Sequence, residues 1–288
     1  MKTFRSKSAI KTLQVMNWVF FLAMIFVNYL ANALPINDKT TKQLSDQYPN
    51  LFVPASITFS IWGVIYLLLL VFCVKQSKSL FSRQVDIATA DTVALVGPRF
   101  IFTCVLNMLW IFSWHYEYIV FSVVVMLLFL AQLVVINART NALAPYLTGS
   151  SRFAVKASFG VYLGWICIAT IANITALLVN SGWNGWGQSE LFWTTIMVLI
   201  GAVITAFALI RLKNAYIGLA VIWAFVGIII ARIDAEVYHR FVVWSAVFGI
   251  ILVSAAMIVE ITGALFRTKK VKVVGTTHTP PHVTIISN

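Results

Sequence analysis

Long apolar runs separated by short polar segments dominate this chain. Eight runs approach or exceed the about 20 residues that a helix needs to cross the hydrocarbon core of a bilayer. They cover residues 13–33, 52–74, 99–116, 118–137, 154–180, 191–211, 214–231 and 241–264. Membrane β-strands alternate over about 10 residues, whereas helices satisfy their own backbone hydrogen bonds in lipid. The pattern therefore predicts an all-α integral membrane protein with eight spans.

Composition favours the same class. Hydrophobic residues make up 60% of the 288 residues and charged residues only 10%, against about 25% charged in a typical soluble domain. These proportions exclude an ordinary soluble enzyme, a disordered protein and a secreted disulfide scaffold. The three cysteines lie within apolar runs and form no CxxC pair, so we interpret them as packing residues.

The basic excess follows the expected topology. The chain carries 21 Lys and Arg against 9 Asp and Glu, a net charge of +12. With a cytoplasmic N-terminus, 17 basic residues fall in inner segments and 4 in outer loops, as the positive-inside rule requires. Both termini are predicted to be cytoplasmic, and the charge needs no nucleic-acid partner. We expect a multi-pass protein of a prokaryotic plasma membrane, with membrane lipids as partners.

Three segments outside this simple pattern carry their own expectations. Residues 76–98 are predicted to form an amphipathic helix on the inner surface that ends at Pro98. Residues 267–288 are predicted to be a disordered basic tail. The first span resembles a cleavable signal peptide, which would leave seven spans. Its apolar run is longer than a usual signal, so we expect it to be retained.

Motifs for catalysis and metal binding are missing from the sequence. It contains no HExxH, GxGxxG or P-loop, and its four histidines have no partner at metal-ligand spacing. Glu260 is the only carboxylate inside a predicted span, and we favour snorkelling to the inner surface or pairing with Arg267 over a functional role in the membrane. The chain is therefore predicted not to be an enzyme and to require no cofactor.

Aromatic and polar residues share helical faces inside several spans. Trp18, Trp114, Trp183 and Trp186 fit positions at the membrane surfaces. Other sets repeat at helical spacing within spans: Thr58, Trp62 and Tyr66; Asn107 and Trp110; Tyr162, Trp165, Ala169 and Asn173. Asparagine in hydrocarbon needs a hydrogen-bond partner, from another helix or from a ligand. The faces predict either interhelical packing or an aromatic-lined cavity for a flat apolar ligand.

These positions resemble the TspO/MBR family, the tryptophan-rich sensory proteins related to the mitochondrial translocator protein. The second span resembles the family's Pro, Trp and Tyr pattern at Pro54, Trp62 and Tyr66, without its Gly-Pro. The third span matches Asn-x-x-Trp at Asn107 and Trp110. The fifth span matches Tyr-Leu-x-Trp-x-x-x-Ala-x-x-x-Asn at residues 162–173, which is the most specific match.

The resemblance implies a five-helix TspO-like bundle over residues 1–180, followed by a three-helix extension over residues 181–266. It implies a pocket among spans one, two, three and five, with residues 34–51 as a lid. The ligand-binding residues implied are Pro54, Thr58, Trp62, Tyr66, Asn107, Trp110, Tyr162, Trp165, Ala169 and Asn173. Family members bind porphyrins, haem-related tetrapyrroles, sterols or synthetic hydrophobic ligands, so the resemblance implies a sensor or carrier of a porphyrin, haem or sterol-like molecule.

Two alternatives follow from the extension and from one glycine motif. All eight helices could form a transporter or channel for a small solute, with Gln132, Asn137 and Glu260 as the polar residues toward the inner side. Gly160 and Gly164 form a GxxxG motif in the fifth span, which permits close helix approach. We favour packing within the chain over a homodimer through this motif.

Overall fold

The computed structural model describes residues 6–34, 36–82 and 86–274, with side chains through residue 265. Within these ranges regular structure is helical, and eight helices are long and apolar enough to cross a membrane. The helices in chain order are α1 (Lys7–Ala33), α2 (Thr41–Asp46), α3 (Ile61–Gln76), α4 (Ile87–His115), α5 (Ile119–Leu143), α6 (Gly149–Asn180), α7 (Glu190–Arg211), α8 (Tyr216–Ile233) and α9 (Arg240–Val274).

The eight spans are all of these helices except the short α2, so the predicted all-α class is confirmed. Helix α3 alone is short for a bilayer, but 3₁₀ turns at Ser56–Ser60 and Ser77–Ser79 extend it to 24 residues. The chain is therefore a multi-pass membrane protein. The cytoplasmic placement of both termini stays a prediction.

Helix α6 is the axis of the bundle. It packs against α3, α5 and α8, while α4 packs between α1 and α5. Helix α9 packs against α7 and α8. One continuous apolar core contains side chains from α1 through α9. The predicted boundary at residue 180 coincides with the end of α6, and apolar packing continues across it.

The GxxxG motif closes the contact between α6 and α8. A Cβ atom added at Gly164 would lie 2.1 Å from the carbonyl oxygen of Ile217, and one at Gly160 would lie 2.7 Å from the side-chain nitrogen of Asn214. Asn214 Nδ2 donates to Asn137 Oδ1 at 2.8 Å, which ties in α5. The motif therefore serves packing within the chain, the interpretation we favoured over a homodimer.

The prediction of a separate amphipathic helix over residues 76–98 is wrong. Helix α4 begins at Ile87, where the Asp86 side chain caps it, and continues through Pro98. Proline leaves the carbonyl oxygen of Ala94, four residues earlier, without its usual helical donor. The Arg139 guanidinium from α5 donates to the next carbonyl oxygen, that of Leu95, at 2.9 Å and so ties α5 to this turn.

Helix α9 also extends further than expected. It reaches Val274, so the first eight residues of the predicted disordered tail, 267–274, are helical. The remaining residues, 275–288, lie outside the described residues. Glu260 is 6% exposed on α9, and its predicted partner Arg267 lies outside the residues whose side chains are described.

Candidate functional site

A small pocket lies where α3, α4 and α6 meet, beneath the segment between α1 and α3 that contains α2. We call this segment the first loop and the pocket the central pocket. The volume of the central pocket is about 70 Å³. Its lining is Thr41, Ser45, Asn50, Val53, Pro54, Phe59, Trp62, Trp110, Trp114, Trp165, Ile168, Ala169, Ala172, Asn173 and Ala176. Six of the ten predicted ligand-binding residues are in this set: Pro54, Trp62, Trp110, Trp165, Ala169 and Asn173.

Aromatic rings form the walls of the central pocket. Trp62 meets Trp165 edge to face, with ring centroids 6.1 Å apart. On another wall Trp110 and Trp114 stack, with centroids 5.9 Å apart and planes 16° apart. Phe59 closes one corner against Trp165. Flat ring faces and edges provide the contacts that planar apolar molecules prefer.

One polar group in this pocket connects helices, and another has no partner. Trp110 Nε1 donates to Asn173 Oδ1 at 2.9 Å, and Asn173 Nδ2 donates to Ser122 Oγ at 2.9 Å. Asn173 thus bridges α4, α5 and α6. Trp165 is 4% exposed, and none of the described residues accepts a hydrogen bond from its Nε1. A buried donor without an acceptor is costly, so this N–H is an unsatisfied polar group of a residue that lines the central pocket.

The other four predicted residues lie outside the lining of the central pocket. Behind Trp62, Asn107 Nδ2 donates to Tyr162 Oη at 3.1 Å, and Asn28 Nδ2 donates to Asn107 Oδ1 at 2.6 Å. Tyr66 stacks on Trp62, with centroids 5.7 Å apart. These three predicted residues therefore support the pocket wall rather than face the cavity.

Thr58 faces a different helix. It lies in the 3₁₀ turn before α3, so its four-residue spacing to Trp62 does not place the two side chains on one α-helical face. Instead Thr58 packs against Gly227 of α8, and its carbonyl oxygen accepts a hydrogen bond from Trp223 Nε1 at 2.8 Å.

The first loop covers the pocket and is fixed to the end of α4. His115 contacts it twice, through Nε2 at 3.0 Å from Thr41 Oγ1 and Nδ1 at 3.0 Å from the carbonyl oxygen of Ile36. Tyr48 packs on Trp114 with ring centroids 5.8 Å apart. Burial, reinforced by the nearby Glu117 carboxylate, raises the pKa of Tyr48. The predicted lid is thus a folded cover that includes α2.

The segment that joins this cover to α3, residues 49–56, is anchored by the C-terminal helices. We call it the strap. The Leu51 backbone N–H donates to a carboxylate oxygen of Glu190 at the start of α7. The Ala55 N–H donates to the carbonyl oxygen of Gly227 on α8 at 3.0 Å. No motif in the sequence indicated these anchors, because they join residues more than 130 positions apart.

Comparison with protein families agrees with this architecture. A family model described as TSPO-like protein matches residues 14–259. The chain belongs to the TSPO-like family. The match continues past residue 180 through α7, α8 and most of α9. Comparison with curated proteins and with solved structures gave no match.

This TSPO-like protein has a second, larger cavity that sequence reasoning missed. It lies between α6 and α7 near the loop that joins them, and its volume is about 500 Å³. We call it the lateral pocket. Its lining is Asn50, Phe52, Ile171, Ile174, Thr175, Leu178, Val179, Trp183, Asn184, Gly185, Trp186, Gln188, Glu190, Trp193, Thr194 and Met197. The sequence did contain a signal for this pocket: three tryptophans lie around a glycine-rich loop, and the first and the last of them are only ten positions apart.

Two polar residues proposed for a transport path serve as helix connections in this TSPO-like protein. Gln132 Oε1 accepts from Arg99 at 2.7 Å. Asn137 Nδ2 donates to the carbonyl oxygen of Phe159 at 2.9 Å, while its Oδ1 accepts from Asn214. Their hydrogen-bonding groups are engaged in joining α4, α5, α6 and the start of α8.

Proposed function

We propose that this TSPO-like protein is a membrane sensor or carrier that binds a flat hydrophobic ligand in the central pocket. The observation that carries the proposal is Trp165, which lines a cavity walled by aromatic rings and whose buried Nε1 has no acceptor among the described residues. A ligand that combines a planar apolar body with a hydrogen-bond acceptor would satisfy this donor. Porphyrins, haem and sterol-like molecules meet that description.

The size of the central pocket implies that binding moves its cover. Its volume of about 70 Å³ is well below the roughly 300–1,000 Å³ of typical ligand pockets. The strap and α2 form the roof, whereas the other walls belong to membrane-spanning helices. Ligand binding therefore displaces the roof. Such a displacement at the membrane surface would give a sensor its output.

The simplest use of this site is to bind a ligand. It needs neither a chemical reaction nor channel-like transport. Among the described residues, those that line the central pocket include no carboxylate, histidine, lysine or arginine, so they supply neither a general acid nor a base. The engagement of Asn137 between helices favours a binding protein over the transporter alternative. We also propose a prokaryotic plasma membrane as its location, with lipids and the hydrophobic ligand as its partners.

A titration of the purified protein with protoporphyrin IX and with haem tests this proposal. We expect tryptophan fluorescence to fall and to saturate near one ligand per chain. Trp110→Ala and Trp165→Ala should weaken binding, whereas Trp244→Ala, at a 66% exposed position on α9, should not. Circular dichroism controls for folding. Quenching that rises linearly and is equal in all variants would mean nonspecific partitioning and would overturn the proposal.

A further inference from the structure

The lateral pocket lies between α6 and α7, next to the loop that joins them. Helix α7 packs mainly against α9 rather than against its sequence neighbour α6. The walls of the resulting groove are aliphatic along their length, with Ile171, Ile174 and Leu178 on α6 and Met197 on α7. The groove is therefore suited to an extended apolar chain rather than to a polar solute.

The loop at the end of the groove and the first turn of α7 together hold three tryptophan rings in one cluster. The ring centroids of Trp183, Trp186 and Trp193 lie 5.2–5.6 Å from one another. Trp193 Nε1 donates to the carbonyl oxygen of Gly185 at 2.8 Å, and Asn184 Oδ1 accepts from the Trp186 N–H at 3.0 Å. These bonds fix the loop in place.

Trp186 is held in an unusual state for its residue type. Its φ of 52° lies in the left-handed region, which is unfavourable for a residue with a bulky side chain. Its side chain is also 76% exposed. Indole rings are favoured at the interface between lipid and water. The exposed Trp186 ring is therefore of the kind that packs at the level of lipid head groups.

Polarity and charge divide the lateral pocket into two ends. The loop end carries Asn184, Gln188 and Glu190, and Glu190 is the one charged residue in the described lining. A carboxylate in the same lining as the exposed Trp186 ring attracts ammonium groups, through charge and through cation–π contacts. Arg232, which lies outside this lining, interacts electrostatically with Glu190.

We propose that the lateral pocket is a second binding site, for a membrane lipid with an ammonium head group. One acyl chain lies in the groove between α6 and α7, and the ammonium lies against Trp186 and Glu190. The volume of about 500 Å³ is within the roughly 300–1,000 Å³ of typical ligand pockets. The proposal is independent of the ligand in the central pocket.

Native mass spectrometry of protein released from nanodiscs tests this site. The discs contain equal amounts of phosphatidylethanolamine and phosphatidylglycerol. We expect the parent to retain about one phosphatidylethanolamine in preference to phosphatidylglycerol. Ile174→Trp fills the groove and should abolish that retention. Val203→Trp adds the same ring at a 57% exposed position on α7 outside the pocket and should leave retention unchanged.

Glu190→Gln separates the charge from the structure. The glutamine keeps a side-chain oxygen for the Leu51 N–H, so the strap anchor is retained while the charge is lost. We expect the preference for phosphatidylethanolamine to fall by several-fold with the chain still bound. Equal retention of the two lipids by the parent, or equal retention by Ile174→Trp and Val203→Trp, would overturn the proposal.

Discussion

The central and lateral pockets lie on two sides of helix α6 but differ in almost every physical property. The central pocket has a volume of about 70 Å³ among buried and half-buried rings, and the lateral pocket has about 500 Å³ beside rings that are partly or fully exposed. The first is closed by a cover of loop and strap. The second is a gap between two helices. Asn50 of the strap lines both.

The two pockets differ because different features of the chain determine where their residues lie. Rings of the central pocket are placed by helical spacing within single spans, so a face of residues such as Trp165, Ala169 and Asn173 indicates them. The lateral pocket depends on the spacing between α6 and α7 and on the conformation of the loop that joins them. Neither property follows from periodicity.

Perturbing α6 itself should have the largest effect, because both pockets use this helix. Gly164→Ala places a Cβ 2.1 Å from the carbonyl oxygen of Ile217, so α6 and α8 must separate. We expect the free energy of unfolding to fall by about 3 kcal/mol, the upper end of typical overpacking costs. Gly149→Ala on the same helix meets nothing within 4 Å and should change stability by less than about 1 kcal/mol. Unfolding in detergent by heat or denaturant gives the comparison, and equal stabilities would contradict the α6–α8 contact.

A crossed pair of variants tests whether the two pockets are separate sites. Trp165→Ala removes a ring wall and the free donor, so porphyrin affinity should fall by at least about tenfold, since buried ring area and a hydrogen bond together exceed about 1.4 kcal/mol. Its lipid retention should stay at the parent level. Ile174→Trp should show the reverse pattern. If either variant weakened porphyrin binding and lipid retention equally, the two-site description would fail.

A change on α8 should loosen the strap without touching either ligand directly. A Cβ at Gly227 would lie 1.9 Å from Thr58 Oγ1, so Gly227→Ala pushes the 3₁₀ turn away from α8. We expect amide exchange at Ala55 to rise by about tenfold, equivalent to about 1.4 kcal/mol of local stability. Hydrogen–deuterium exchange over residues 49–60 measures it. Unchanged exchange there would show that α8 does not hold the strap.

The smallest expected effect concerns Tyr48, whose titration reports whether the cover is packed closed. Its pKa is raised above the ordinary value of 10.0, so the neutral ring stabilises the cover below pH 10, and that contribution is lost as the pH rises through the folded-state pKa. Absorbance at the tyrosinate band, taken as parent minus Tyr48→Phe, isolates this group. A difference titration centred at or below pH 10 would contradict a packed Tyr48.

Much of the architecture could be predicted, because the length of each apolar run decides whether it can cross the bilayer. The eight apolar runs and the all-α class follow from the thickness of the bilayer. The start of the third span was predicted too late, because α4 continues through Pro98, and helix-breaking prolines are tolerated within membrane-spanning helices. Residues 76–98 consequently read as a separate surface helix.

The site was predictable in its rings and less so in its roof and supports. Trp62, Trp110 and Trp165 line the central pocket as their spacing indicated. Thr58 did not follow its spacing, because the local turn is 3₁₀ rather than α-helical. The anchors of the strap, Glu190 and Gly227, are distant in sequence and use a carboxylate oxygen and a backbone carbonyl, which carry no distinctive pattern.

The most direct test of the central claim is the dissociation constant of protoporphyrin IX for Trp165→Phe, relative to that for Trp244→Phe. Phenylalanine at position 165 keeps an aromatic ring in the wall and removes the N–H that lacks an acceptor among the described residues, together with part of the indole ring. We expect a three- to tenfold weakening, as loss of one hydrogen bond of about 0.5–1.5 kcal/mol requires, and no change for Trp244→Phe. Equal dissociation constants for both variants and the parent would contradict a ligand held by Trp165 in the central pocket.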